Sequence, residues 1–258
     1  MFALRNLLRL ACLPVLAAVP LRAADIPAPS APAPRIHMIG DSTMADKPVQ
    51  PANPERGWGQ MLPLYFRDPA MIVNYAVNGR STKSFIDEGR WEKVRAALRP
   101  GDWVIIQFGH NDEKSEDPTR YADPATSFRD NLRRFVGEAR AAGANPILAT
   151  PIARRKFDEA GKVVDTHGAY PEAMRAVALE LGVPLLELNE LTTRLLASYG
   201  VESSKQLYLF IKPGEYESLP KGREDNTHLS AVGASRISEL AIDEMRRLKL
   251  SLVDWMRK

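Results

Sequence analysis

Ser42 stands directly after a short apolar run, in Ile39-Gly40-Asp41-Ser42-Thr43-Met44-Ala45-Asp46, and Asp225-Asn226-Thr227-His228 follows far later in the chain. A serine hydroxyl is barely nucleophilic at neutral pH and needs a base within reach, a task that suits imidazole because its ordinary pKa is near 6.5. An Asp three residues before a His can orient the ring through Nδ1 and leave Nε2 free to take the serine proton. Acyl transfer also needs donors for the oxyanion that develops on the carbonyl. Gly79 offers a backbone N–H at close approach, Asn111 in Gly109-His110-Asn111-Asp112 a side-chain amide, and Ser42 its own N–H. Each group alone is ordinary turn chemistry, since Gly, Asp, Asn and Ser all favour turns. In this order and combination they point to ester hydrolysis through a covalent acyl-serine.

Such groups must be carried by a scaffold that brings distant segments together. Apolar runs at 36–39, 71–75, 103–108, 146–149 and 184–188 read as strands. They alternate with helix-like patterns at 57–66, 89–99, 124–142, 168–182 and 231–247, and Ser230 is placed to cap the last of these. Strands alternating with helices imply a parallel sheet covered on both faces, with the ligand crevice at the carboxyl ends of the strands. No repeat and no second set of core strands is evident, so one domain is expected over 35–258. The stretch 199–224 is too long for an ordinary connection and is expected to be a loop that delivers Asp225 and His228.

These residues resemble the SGNH hydrolases, also called GDSL esterases, whose marker residues are Ser, Gly, Asn and His. The closer likeness is to the rhamnogalacturonan acetylesterase branch, in Gly40 to Asp46, Asn78-Gly79-Arg80-Ser81, Gln107-Phe108-Gly109-His110-Asn111-Asp112 and Asp225 to Leu229. Thr43 departs from the Leu of the GDSL name but agrees with that branch. The resemblance implies a three-layer α/β/α sandwich, flavodoxin-like, around a five-stranded parallel sheet. It implies Ser42 as nucleophile, His228 as base, Asp225 as its orienter, and an oxyanion hole from Ser42, Gly79 and Asn111. The expected reaction removes acetyl groups from plant cell-wall polysaccharide, foremost rhamnogalacturonan, with acetylated xylan, sialate or a small ester as other substrates of the same chemistry. No cofactor or metal is expected, and oligomeric state is not legible.

Asp41, Arg80, His110, Arg154 and Arg155 are the candidate substrate contacts; guanidinium groups of the two adjacent arginines suit the carboxylates of a uronic-acid polymer, while solvation of a charged surface loop is the simpler account of that pair. His167 reads as a structural or rim histidine. Trp58 and Trp91 could stack on sugars but fall on apolar helix faces and are assigned to the core. Two rival readings use the same residues: a two-metal phosphoesterase built on Asp41, His110, Asp112, Asp225 and His228, and a carbohydrate-binding protein without turnover. The Gly109-His110-Asn111-Asp112 order and the absence of Asp-x-His after the first strand argue against the metal site. A complete set of catalytic residues argues against the second.

Residues 1–24 carry Arg5 and Arg9, then an apolar stretch over 10–21 and Ala23-Ala24, the pattern of a secretory signal peptide. That stretch is shorter than the about 20 residues a spanning helix takes, so no membrane span is expected after cleavage. Residues 25–34 read as a Pro-rich tether, and secretion or a periplasmic location is expected. The only cysteine, Cys12, lies within the signal. The net charge of +3 comes from Arg5, Arg9 and Arg22, so cleavage leaves 32 basic against 32 acidic side chains. A neutral chain with no basic stripe gives nucleic acid nothing to bind.

Overall fold

Strand β1 (Ile36–Gly40) is buried at every position, as a central strand covered on both faces must be. In the computed structural model, which describes residues 33–257, the chain continues into helix α1 (Trp58–Met61), strand β2 (Ile72–Asn74), and helices α2 (Thr82–Asp87) and α3 (Arg90–Ala97). Next come β3 (Trp103–Gln107), α4 (Ser127–Ala141), β4 (Asn145–Ala149), α5 (Tyr170–Leu181) and the short β5 (Leu185–Leu186). Helix α6 (Leu188–Ser203), strands β6 (Tyr208–Ile211) and β7 (Arg223–Leu229), and helix α7 (Ala231–Arg247) complete the fold. The proposed signal peptide and most of the tether lie outside the described residues, and the compact unit begins at Ala33. No helix among the described residues is long and apolar enough to cross a membrane.

The five parallel strands lie in the order β2-β1-β3-β4-β5. Alternating side chains feed two cores. Ile36, Met38, Ile105 and Ile147 meet Trp58 of α1, Leu196 of α6 and Ile237, Ala241 and Met245 of α7. Ile39, Val104, Ile106 and Leu148 meet Phe85, Trp91, the Phe128, Leu132, Phe135, Ala139 face of α4, and Met174 and Val177 of α5. The result is the expected three-layer α/β/α sandwich with flavodoxin-like strand order. Trp58 and Trp91 are fully buried, as their helical spacing indicated. The strand order reverses between β1 and β3, and that switch point is where a crevice opens at the carboxyl ends.

The structure departs from the sequence expectations in several places: helix α2 was not expected, the 57–66 pattern is α-helical only over Trp58–Met61, and the two largest differences lie later in the chain. The run at 184–188 is a strand for only two residues before α6 begins. This helix was missed although Leu188, Leu191, Leu195 and Tyr199 repeat at helical spacing. The expected 199–224 loop contains the end of α6 and strand β6, which pairs antiparallel with β7 as a separate two-stranded sheet. Strand β7 reads Arg-Glu-Asp-Asn-Thr-His-Leu, too polar to register as a strand by hydrophobic alternation. Ser230 caps α7 as expected, its hydroxyl accepting from the Gly233 N–H.

Candidate active site

Gly40 ends β1 where a side chain has no room. A Cβ there would lie 2.7 Å from the Gln107 carbonyl oxygen of β3, so the chain can turn tightly into Ser42 only with glycine at this point. Asp41 then organises the turn, its Oδ1 accepting from the Thr43 N–H at 2.9 Å and the Thr43 hydroxyl at 2.8 Å. The Ser42 hydroxyl is left facing the crevice, 2.9 Å from His228 Nε2.

His228 arrives on β7 through a register shift. Tyr208 pairs with Leu229 while the next residue, Leu209, pairs with Asp225, so Asn226, Thr227 and His228 bulge out of the ladder. Bulges re-aim side chains in this way beside functional sites. His228 Nδ1 lies 2.8 Å from Asp225 Oδ2, while Asp225 Oδ1 accepts from the Thr227 and His228 N–H groups at 2.8 and 2.9 Å. Burial would raise the Asp225 pKa, but these hydrogen bonds and the neighbouring imidazole outweigh it and hold the carboxyl well below the usual carboxylate range. Asp225 therefore stays an anion that fixes the ring.

The donors sit opposite. Gly79 occupies φ +75°, a left-handed conformation that glycine adopts without strain. Neither its N–H nor that of Ser42 donates a hydrogen bond within the described residues. Asn111 is held at both ends of its amide. Nδ2 donates one hydrogen to the Arg80 carbonyl at 3.1 Å, and Oδ1 accepts from Arg120 at 3.4 Å, which leaves the second Nδ2 hydrogen for the cavity. Buried Asp112 shapes this loop by accepting from the Thr82 N–H at 2.8 Å and the Gly109 N–H at 3.1 Å. Burial is the main cause of its pKa rising to about 7, against the pull of the Thr82 hydrogen bonds.

Ser42, Gly79, Asn111, Asp225 and His228 all line one cavity of about 580 Å3, together with Glu55, Asn78, His110, Lys114, Arg120, Arg154, Arg223 and Thr227. No aliphatic side chain lines it, and its only aromatic rings are the imidazoles of His110 and His228. Of the candidate substrate contacts, His110 and Arg154 reach this cavity, Arg154 through pairing with Glu113. Arg80 lines a neighbouring cavity that shares Gly79 and Arg120 with the first.

Two of these candidates are corrected. Asp41 is 0% exposed and engaged with Thr43, so it supports the turn and cannot touch substrate. Arg155 is also buried. It binds Ser204 Oγ at 3.0 Å, Asn226 Oδ1 at 2.9 Å and the Val201 carbonyl, and so buttresses the bulge that carries His228. Burial of a guanidinium under an irregular strand leaves no trace in local sequence. His167 is structural, with Nε2 on the Ile152 carbonyl at 2.8 Å and Nδ1 on Glu113 at 2.9 Å. Glu55, Lys114, Arg120 and Arg223 were missed; the one available signal was Arg223, two residues from Asp225. Among the described residues no group of three or more His, Cys, Asp or Glu is arranged to hold a metal ion.

His110 is 3% exposed, and its Nδ1 approaches Asp41 Oδ2 to 3.2 Å without hydrogen-bonding geometry. Burial, with Asp41 opposing it, brings the His110 pKa down to about 4. The folded protein then binds fewer protons here than the unfolded chain, so stability is lost as pH falls from about 6.5 toward 4, by about 3 kcal/mol. His110→Gln is expected to flatten that part of the profile when urea midpoints are measured across it. An unchanged slope would show that His110 is not the group responsible.

A triad-like relay at the switch point of a 2-1-3-4-5 parallel sheet defines a serine hydrolase of the α/β/α type. The chain matches the GDSL-like lipase/acylhydrolase family over residues 38–235 and belongs to that family, whose members are carboxylic ester hydrolases. It is 40% identical over 220 residues to the rhamnogalacturonan acetylesterase RhgT of Bacillus subtilis (strain 168), an alignment covering 85% of this chain and 93% of that one. The rhamnogalacturonan acetylesterase of Emericella nidulans is 26% identical over 232 residues, covering 82% and 84%. Among solved structures, the protein YxiM of Bacillus subtilis superposes with a TM-score of 0.71 at 28% identity, covering 84% of this chain and 57% of its own. The acetylxylan esterase Axe2 of Geobacillus stearothermophilus does so at 0.57 with 18% identity, covering 82% and 94%, a likeness of fold.

Proposed function

We propose that this protein removes O-acetyl groups from rhamnogalacturonan, with Ser42 as nucleophile, His228 as general base and Asp225 as its orienter. The observation that carries this reading is the hydrogen-bonded chain from Ser42 Oγ through His228 to Asp225, opening onto a cavity that Gly79 and Asn111 also line. Ser42 Oγ attacks the ester carbonyl as His228 Nε2 takes its proton. The carbonyl oxygen becomes an oxyanion facing the Ser42 N–H, the Gly79 N–H and Asn111 Nδ2. Collapse breaks the bond to the sugar oxygen, which takes the proton from His228, and leaves acetyl-Ser42. Water, deprotonated by the same imidazole, then releases acetate and restores the serine.

The cavity lining supports a small acyl group. A long acyl chain needs apolar wall to repay its desolvation, about 0.8 kcal/mol per buried CH2, and these walls are built mainly from polar and charged side chains. An acetyl group needs little such wall, and hydroxyl-rich sugar suits polar surroundings. The names of the relatives from Bacillus subtilis and Emericella nidulans support rhamnogalacturonan as the polymer. The N-terminal pattern supports export to the periplasm or medium, and N-terminal sequencing of the exported protein should begin near Asp25.

The test is acetate release from a panel of acetylated rhamnogalacturonan, homogalacturonan and xylan, with Ser42→Ala as the blank. Rhamnogalacturonan is expected to give the highest kcat/KM. Faster release from xylan would reject the polymer assignment, and equal release by Ser42→Ala would reject the serine mechanism.

A further inference from the structure

Lys47 is a lysine where lysines are seldom found, 5% exposed beneath the floor of the site. Burying an ammonium is costly unless it is paired, so its partners carry information. One is Glu55 Oε1 at 2.8 Å; another is the side-chain oxygen of Asn78, the residue before Gly79. Its backbone is clamped on both sides by one side chain, Gln60, which accepts from the Lys47 N–H at 3.0 Å and donates to the Lys47 carbonyl at 2.9 Å. The ammonium is thus held in place from the Ser42 turn.

Glu55 carries the connection onward. Its Oε2 receives Arg223 Nη1 at 3.1 Å, and Arg223 Nε donates to Asp225 Oδ2 at 3.1 Å, the oxygen that also holds His228. The segment bearing Glu55 is joined to the base-bearing strand by main chain too, through the Arg56 N–H on the Leu229 carbonyl at 3.0 Å. One buried cation therefore touches the loop that presents the Gly79 N–H and begins an ion chain that ends on Asp225.

We infer that Lys47 is a positioning residue that sets the oxyanion loop, through Asn78, and the Asp225–His228 pair, through Glu55 and Arg223, in register with Ser42. The inference rests on the serine-esterase reading above. Lys47 does not line the cavity, so its effect passes through groups that do. Misplacement of reacting groups by about 1 Å can cost about 100-fold. Such a loss falls on the transition state and leaves ground-state binding of a small ester nearly unchanged.

The experiment uses a small aryl acetate, which makes no sugar contacts. Lys47→Met is expected to lower kcat about 30- to 100-fold with KM within threefold, and to slow inactivation by a small alkyl fluorophosphonate by a similar factor. Asn78→Ala is expected to lower kcat about tenfold, and by less than threefold when Lys47→Met is already present. Urea midpoints report whether each variant is folded at the assay temperature. A folded Lys47→Met with kcat within threefold of wild type overturns the inference, as does independent multiplication of the two losses. If Lys47→Met does not fold, Asn78→Ala decides, since Asn78 is an exposed residue; kcat within threefold of wild type is then the overturning result. Ser42→Ala separates the two levels: activity without Ser42 removes the underlying reading, whereas a dead Ser42→Ala beside a normal Lys47→Met removes this inference alone.

Discussion

Ser42→Ala and His228→Ala are each expected to lower kcat on an aryl acetate by about 10^4- to 10^6-fold, and the double variant to be no worse than either single one. The reason is the geometry of the relay. With Ser42 Oγ 2.9 Å from His228 Nε2, the proposed mechanism makes proton transfer and bond formation one unit, and a unit missing either part does not work at partial rate. The residual rate comes from the oxyanion donors and binding, which neither substitution touches. Neither variant should suffer in stability, because the side chains face the cavity and not the core. Kinetics with a urea melt of each variant check this. Activity within tenfold of wild type in either single variant would end the assignment.

The next largest effect is expected at Asn111, where alanine should lower kcat about 10^2- to 10^3-fold with little change in KM. An oxyanion donor is worth most when the charge it meets has just formed, so its loss falls on the transition state. Asn111 is preset for this by the Arg80 carbonyl and Arg120, which hold the amide in one orientation before substrate arrives. A donor fixed in advance has no reorganisation to undergo at the moment of reaction. A raised KM for acetylated rhamnogalacturonan with kcat unchanged would instead make Asn111 a sugar contact.

The parts of the site legible in sequence are those whose chemistry is written in residue type. Ser42, Asn111, Asp225 and His228 stand out because few other side chains could perform the proposed steps, and all of them line one cavity with Gly79. Candidates chosen by charge alone fared differently. Asp41 and Arg155 carry groups suited to binding, yet both are buried and committed to backbone and side-chain partners. A charged side chain reads the same in sequence whether it faces substrate or supports the loop that does.

Fold legibility followed the same division. Strands β1, β3 and β4 were evident because central parallel strands are apolar on both faces, and α7 was bounded correctly by its cap and its apolar stripe. The β6–β7 hairpin was not, because β7 owes its shape to pairing and to a bulge. Neither leaves a period in the residues.

The sequence by itself determined the candidate reagents, their order along the chain and the doubly wound sheet, since the proposed nucleophile, base and donors are matters of side-chain chemistry and the sheet one of local apolar pattern. Only the tertiary structure decided how they meet. The register shift that turns His228 toward Ser42, the burial that removes Asp41 and Arg155 from substrate, and the Lys47 to Arg223 ion chain all depend on contacts between segments far apart in the chain. Such contacts are set by packing of the whole domain, and no local run of residues encodes them.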